Sequence, residues 1–151
     1  MPNLKHLQFS IDIAAPASTV YALMLAPDTY RDWTSAFAEG SHYQGSWDQG
    51  QTIRFLTPSG DGMIAEIAEN RPNEFVSIRQ LGAIVKGVDD TQSDAARAWT
   101  PAYENYTFHA LPEGTRLVIA QQVPAEYESY MNDAWPKALA KLKALCEAAT
   151  A

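Results

Sequence analysis

A chain of 151 residues, 46% of them hydrophobic, is long enough to bury a core as one domain spanning 1–151 and too short for two of ordinary size. Its formal net charge of -7 opposes binding to nucleic acid or anionic membrane, since both select basic surfaces. A single cysteine, Cys146, leaves no disulfide framework and no cysteine cluster for a metal.

The opening Met-Pro-Asn-Leu-Lys-His lacks the basic segment and apolar run of a signal peptide. The longest mostly apolar stretch, Ile11 to Pro27, is interrupted by Pro16, Ser18 and Thr19, too early for a bilayer span. The expectation is a cytoplasmic protein without membrane insertion. From Leu4 to Ile13 side chains alternate, with Leu7, Phe9, Ile11 and Ile13 on one face, which predicts a strand with one wet side. Ala15-Pro16 ends it, and Val20, Tyr21, Leu23 and Met24 follow at helical spacing. Pro27-Asp28 closes that helix. A second short helix, capped by Asp28, reaches Trp33, which should pack beneath the pair.

Turn signals at Asp48-Gln-Gly50, Ser59-Gly-Asp-Gly62, Arg71-Pro-Asn73 and Pro112-Glu-Gly114 then divide six strand-like runs. The runs are His42 to Trp47, Gln51 to Thr57, Met63 to Asn70, Glu74 to Leu81, Tyr103 to Leu111 and Thr115 to Val123. Glu104, Tyr106, Phe108 and Ala110 share a face of one run; Thr115, Leu117, Ile119 and Gln121 share a face of the next. In Glu74 to Leu81 the period does not decide, because Phe75 and Leu81 compete with Val76 and Ile78 for the inside. Gly82 to Thr100 is too long for a hairpin turn and reads as a flap in which Ser93 caps one helical turn ending at Trp99. The last stretch, Ala125 to Ala149, places Tyr127, Met131, Ala134, Trp135, Ala138, Leu142, Leu145 and Ala149 three or four apart. It predicts a helix from about Glu126 to Ala148, roughly 35 Å long, with a kink near Asn132 to Trp135 ahead of Pro136.

Strand, two short helices, six strands and one long helix bury their apolar faces most simply as an α+β curved antiparallel sheet wrapped around that helix. The opening, with Ile13-Ala-Ala-Pro16, Val20-Tyr21 and Pro27 to Trp33, resembles the helix-grip superfamily that includes START domains and Bet v 1. Gly87-Val-Asp-Asp-Thr91, Trp99, Glu104-Asn-Tyr-Thr-Phe108, Gly114-Thr-Arg-Leu117 and Trp135-Pro-Lys-Ala-Leu139 resemble bacterial single-domain members of the AHSA1-like group. That group shares its fold with the C-terminal domain of the activator of Hsp90 ATPase. The resemblance covers nearly the whole chain and implies a cavity between sheet and helix. Its superfamily includes lipid carriers, polyketide cyclases and hydrolases, so it does not by itself choose a function.

The sequence has no Gly-x-Ser-x-Gly elbow, His-Glu-x-x-His, Cys-x-x-Cys or Gly-x-Gly-x-x-Gly. No catalytic set, cofactor or metal is assigned; Asp89 and Asp90 alone fall short of a calcium loop. In the resembled fold Glu104 faces the cavity, where an unpaired charge is costly, so it needs a partner. Arg79, Arg54, Gln121 or a ligand's donor would serve. It is read either as a structural bond closing the sheet or as a ligand anchor or acid-base group. The residues assigned to ligand binding are Trp33, Phe55, Arg79, Trp99, Glu104, Tyr106, Gln121, Tyr130 and Trp135. Three functions follow: binding of a small hydrophobic or aromatic molecule; a cyclase- or hydrolase-like enzyme using Glu104 with Tyr106 or Gln121; or a chaperone-associated protein, implied by the resemblance alone. The chain is expected to be a monomer or homodimer.

Overall fold

A computed structural model describes residues 4–150; Met1 to Asn3, part of the segment read for a signal peptide, lie outside it. Strand β1 (Leu4–Ile13) is followed by helices α1 (Ala17–Leu25) and α2 (Pro27–Trp33). Strands β2 (His42–Gly45), β3 (Thr52–Leu56), β4 (Gly62–Arg71), β5 (Phe75–Val85) and β6 (Val88–Asp90) come next. Then follow helix α3 (Asp94–Arg97), strands β7 (Ala102–Leu111) and β8 (Gly114–Pro124), and helix α4 (Glu128–Thr150). All pairings are antiparallel, in the order β1-β8-β7-β5-β4-β3-β2, with β6 paired to β5.

The alternation in β1 and β8 does what the pattern requires: Leu7 and Ile13 from β1, and Leu117 and Ile119 from β8, are buried on the face that meets α4. Helix α4 lays Ala134, Trp135, Ala138, Leu139, Leu142 and Cys146 into that concave face and runs through Pro136, whose ring supplies no N–H to the helix. Tyr127 and Ala149, at the two ends of the expected stripe, are exposed: Tyr127 belongs to a 3-10 turn, Ala125–Tyr127, ahead of α4, and Ala149 lies in the last turn of the helix. Among the described residues no helix is long and apolar enough to cross a membrane.

Two expectations change. Asp28 does not cap α2: Ala26 occupies that position and Pro27 begins the helix, so Asp28 adds its charge to the first turn instead. More consequentially, the flap from Gly82 to Thr100 is largely ordered secondary structure. β5 continues to Val85 and turns back into β6 through Lys86 (φ 50°) and Gly87 (φ 81°). Two adjacent positive φ values make the tight mirror-image turn that suits a twisted hairpin. Ser93 then caps α3 as expected, accepting from the Ala96 amide at 3.1 Å.

Register shifts lie between Ile64 and Ala65 and between Ile67 and Glu69 in the β4–β5 pair. Such bulges bend a sheet and deepen its concave side. They also settle β5: Val76, Ile78 and Gln80 are buried with the core, whereas Phe75 is only half-buried, with the Arg71 guanidinium 5.3 Å above its ring.

Candidate functional site

The bent sheet does not close fully on α4. Between its concave face, α2 and the first half of α4 lies a cavity of about 250 Å³. Its walls are mainly aromatic because each bordering element turns rings inward: Tyr30 and Trp33 from α2, Phe55 from β3, Tyr106 from β7, and Tyr130 and Trp135 from α4. Trp135 is their hub, with ring centroids of Phe9 at 5.8 Å, Phe37 at 4.9 Å, Tyr106 at 6.1 Å and Trp33 at 6.2 Å. A second group, Tyr30, Tyr43, Trp47 and Phe55, packs edge-on or tilted beside it, and Tyr30 lies nearly parallel to Phe55 at 6.2 Å.

One polar chain crosses this apolar wall. The indole nitrogen of Trp135 donates to Gln121 Oε1 at 2.9 Å, and Gln121 Nε2 donates to Glu104 Oε1 at 2.8 Å. The Tyr106 hydroxyl bonds the other carboxyl oxygen, Glu104 Oε2. The backbone makes this possible: Glu104 lies directly opposite Gln121 across β7 and β8 and opposite Ile78 across β5 and β7. An indole can only donate, so it fixes the Gln121 amide with its nitrogen toward Glu104. Burial raises the Glu104 pKa above the ordinary carboxylate range, and the bonds from Tyr106 and Gln121 pull it partly back. Burial and the adjacent Glu104 charge push the Tyr106 phenol far up, and the same two causes, in that order, raise Tyr30.

The structure brings together Trp33, Phe55, Glu104, Tyr106, Gln121, Tyr130 and Trp135 around the cavity. Tyr130 stands at its rim, 46% exposed, with its hydroxyl bonded to the Phe37 carbonyl. Arg79 does not join them. It occupies the opposite face of β5 and pairs with Glu66 at 2.6 Å. Arg54 is likewise committed to Asp89 at 2.8 Å, so neither arginine reaches Glu104 as a partner. Trp99, set beyond α3 by the unforeseen hairpin, is not among the lining residues. Asp90 accepts from the hydroxyl and amide of Ser93, which accounts for the acidic pair of the expected flap as a turn device.

Residues not singled out from the sequence complete the wall. Gln80 is 6% exposed, and its side-chain oxygen has no hydrogen-bond partner among the described residues; Trp47 Nε1 is buried and equally unpartnered among them. Gln80 shares the parity of Val76 and Ile78, so resolving the inward face of β5 would have found it. Phe37 follows a single 3-10 turn at Thr34–Ala36, too short to carry a period. Among the described residues no lysine or arginine lines the cavity.

A family model for activator of Hsp90 ATPase homolog 1-like proteins matches residues 14–147. The chain belongs to that family. No curated protein matches it. Among solved structures, the AHSA1-like chain is similar to MLL2253 of Mesorhizobium loti, with 16% identity, a TM-score of 0.70, and coverage of 93% of this chain and 96% of the other. It is similar at a TM-score of 0.72 and 16% identity to the Aha1 dimer of Colwellia psychrerythraea, covering 95% of this chain and 96% of that one. A third likeness is to DynU16, from the dynemicin biosynthetic locus, at 13% identity and a TM-score of 0.65; it spans 91% of this chain but only 45% of DynU16. At these identities the three establish the helix-grip fold of this AHSA1-like chain, and nothing about its chemistry.

Proposed function

We propose that the chain binds a small, flat, mainly apolar molecule in the cavity between the sheet and α4. The observation that carries this reading is the wall itself: rings from α2, β3, β7 and α4 converge on one space, with few polar groups among them. Ligand pockets commonly measure about 300–1,000 Å³, so a cavity of about 250 Å³ suits a compact molecule of one to three rings rather than a long lipid chain. Aromatic side chains grip such a molecule by area and by stacking. The helix-grip fold, in which other members hold hydrophobic ligands, supports the same reading.

One observation favours acid-base catalysis as a second reading: Glu104 has its pKa raised by burial and lies at the cavity wall with a phenol on its carboxyl group. An acid-base catalyst is most effective when its pKa approaches the working pH. The likeness to Hsp90 ATPase activators assigns no residue of this chain to a chaperone contact, so a chaperone partner rests on family membership alone. The test is native mass spectrometry of the purified protein, followed by fluorescence titration with neutral one- to three-ring aromatics. A retained molecule, or saturable binding that quenches tryptophan, is expected; no retained molecule and no saturation by any of them contradicts the proposal. Turnover of a bound molecule that disappears in Glu104→Gln while binding persists would favour the enzyme.

A further inference from the structure

The polar groups on the cavity wall are unbalanced, and the imbalance selects a ligand class. Glu104 is the acid of this lining, whose histidine, His42, is engaged with the Gly40 carbonyl, and among the described residues no lysine or arginine lines the cavity to meet it. Its two bonded neighbours, Tyr106 and Gln121, are neutral. Each carboxyl oxygen accepts one hydrogen bond and keeps capacity for another. Independently, the Gln80 side-chain oxygen is buried and has no partner among the described residues. Gln80 pairs with Ala102 across β5 and β7, while Ile78 pairs with Glu104, so Gln80 and Glu104 are diagonal neighbours on the same inward face. At that spacing, roughly 7–8 Å between backbones, two long side chains can meet one small group. Glu104 therefore keeps spare acceptor capacity and Gln80 an unmet acceptor beside the cavity, and Trp47 Nε1, the buried unpartnered donor of the same lining, bonds to neither. Carboxylate or phosphate head groups would bring a second negative charge against Glu104.

Resting on the binding role proposed above, we infer that the ligand is an aromatic amine, its protonated nitrogen donating to Glu104 and to the Gln80 side-chain oxygen while its rings lie against Trp33, Phe55, Tyr106 and Trp135. The nitrogen cation supplies both missing elements at once, a positive charge for the carboxylate and N–H donors for two acceptors. The surrounding ring faces favour a cation over an anion. The chain's net charge of -7 acts in the same direction at long range, drawing cations toward the protein.

The test compares naphthylmethylamine, naphthylmethanol and naphthoate, which share a two-ring body and differ in charge, by tryptophan fluorescence titration at pH 7. The amine is expected to bind about tenfold or more tightly than the alcohol, and the carboxylate more weakly than either. Glu104→Gln should remove that advantage, so that amine and alcohol bind within about twofold of each other. Gln80→Leu should weaken the amine more than the alcohol; it decides the matter if Glu104→Gln fails to give a folded protein by its thermal melt. If the alcohol binds as well as or better than the amine, the inference is overturned and the apolar binding role stands. If none of the three binds, both fall.

Discussion

Trp135 donates its indole N–H to Gln121 Oε1 at 2.9 Å, and this contact decides how α4 and the sheet address the cavity. Gln121 is itself 7% exposed, so its oxygen has no water to turn to if the indole is removed. Trp135→Phe keeps an aromatic ring but leaves that acceptor unpaired, at a cost of about 1 to 3 kcal/mol beyond the lost ring volume. Urea denaturation measures it. A loss below about 0.5 kcal/mol, typical of a neutral surface change, would show that the bond contributes little.

Leu142 is fully buried against the sheet, in the middle of the part of α4 that the sheet supports. Leu142→Ala should therefore cost about 2 to 5 kcal/mol. Lys141→Ala, one residue earlier on the exposed side, should stay within about 0.5 kcal/mol. Equal effects in the two variants would contradict the packing of α4.

Glu104 has its folded pKa raised above the ordinary value of 4.5, so the folded state holds its proton to higher pH than the unfolded chain does. Stability from this group is greatest when it is protonated and is lost as pH rises from about 4.5 through the raised folded value. The groups around it, Tyr106 and Gln121 beside it and Tyr30 from α2, supply no positive charge to reverse that sign. Asp12, Asp89, Asp90 and Glu147 are shifted downward and act oppositely, but they are common to wild type and Glu104→Gln. The stability of wild type relative to Glu104→Gln, from urea melts across acid to neutral pH, should fall as pH rises. A difference that grows with pH would contradict the placement of Glu104.

Cys146 lies fully buried on the sheet-facing side of α4, and burial, followed by the charge of Glu147, pushes its thiol up to about 11. A protonated, covered thiol is a poor nucleophile. At pH 8 the native protein should resist a disulfide reagent and react with one equivalent once unfolded. Rapid labelling of the native protein would show an opening that the packing of α4 does not allow for.

Neither Trp99 nor Arg79 borders the cavity, and Arg79 is held by Glu66 on the far face of β5. Trp99→Phe and Arg79→Leu should leave the affinity for a neutral aromatic probe within about twofold. A loss well beyond that in either variant would return it to the binding site.

Much of the fold was legible because the residues carrying it obey a simple period. Leu7 to Ile13, Leu117 to Gln121 and Trp135 to Leu142 step in twos or in threes and fours, and each step has a buried face to account for it. The same alternation put Glu104 on the inward face, with Gln121 as one candidate partner beside Arg79, Arg54 and a ligand's donor. What stayed hidden depends on features without a period. The β5–β6 turn uses Lys86 where Asn or Gly is the usual signal, so the hairpin read as a flap and carried Trp99 into the site with it. In β5, Phe75 and Leu81 compete with Val76 and Ile78 for the inside, which leaves Gln80 unassigned. Arg79 was matched to Glu104 by charge, although the alternation of β5 sends it to Glu66 on the other side.

The central claim, that small aromatic molecules enter this cavity, is tested most directly by the tryptophan side-chain N–H signals in a ¹H–¹⁵N NMR titration with naphthylmethanol. The protein has 4 tryptophans. Trp33, Trp47 and Trp135 line the cavity and Trp99 does not. Binding in the cavity should give saturable shifts of the first three signals while that of Trp99 stays in place. Four unmoved signals, or a shift confined to Trp99, would contradict it.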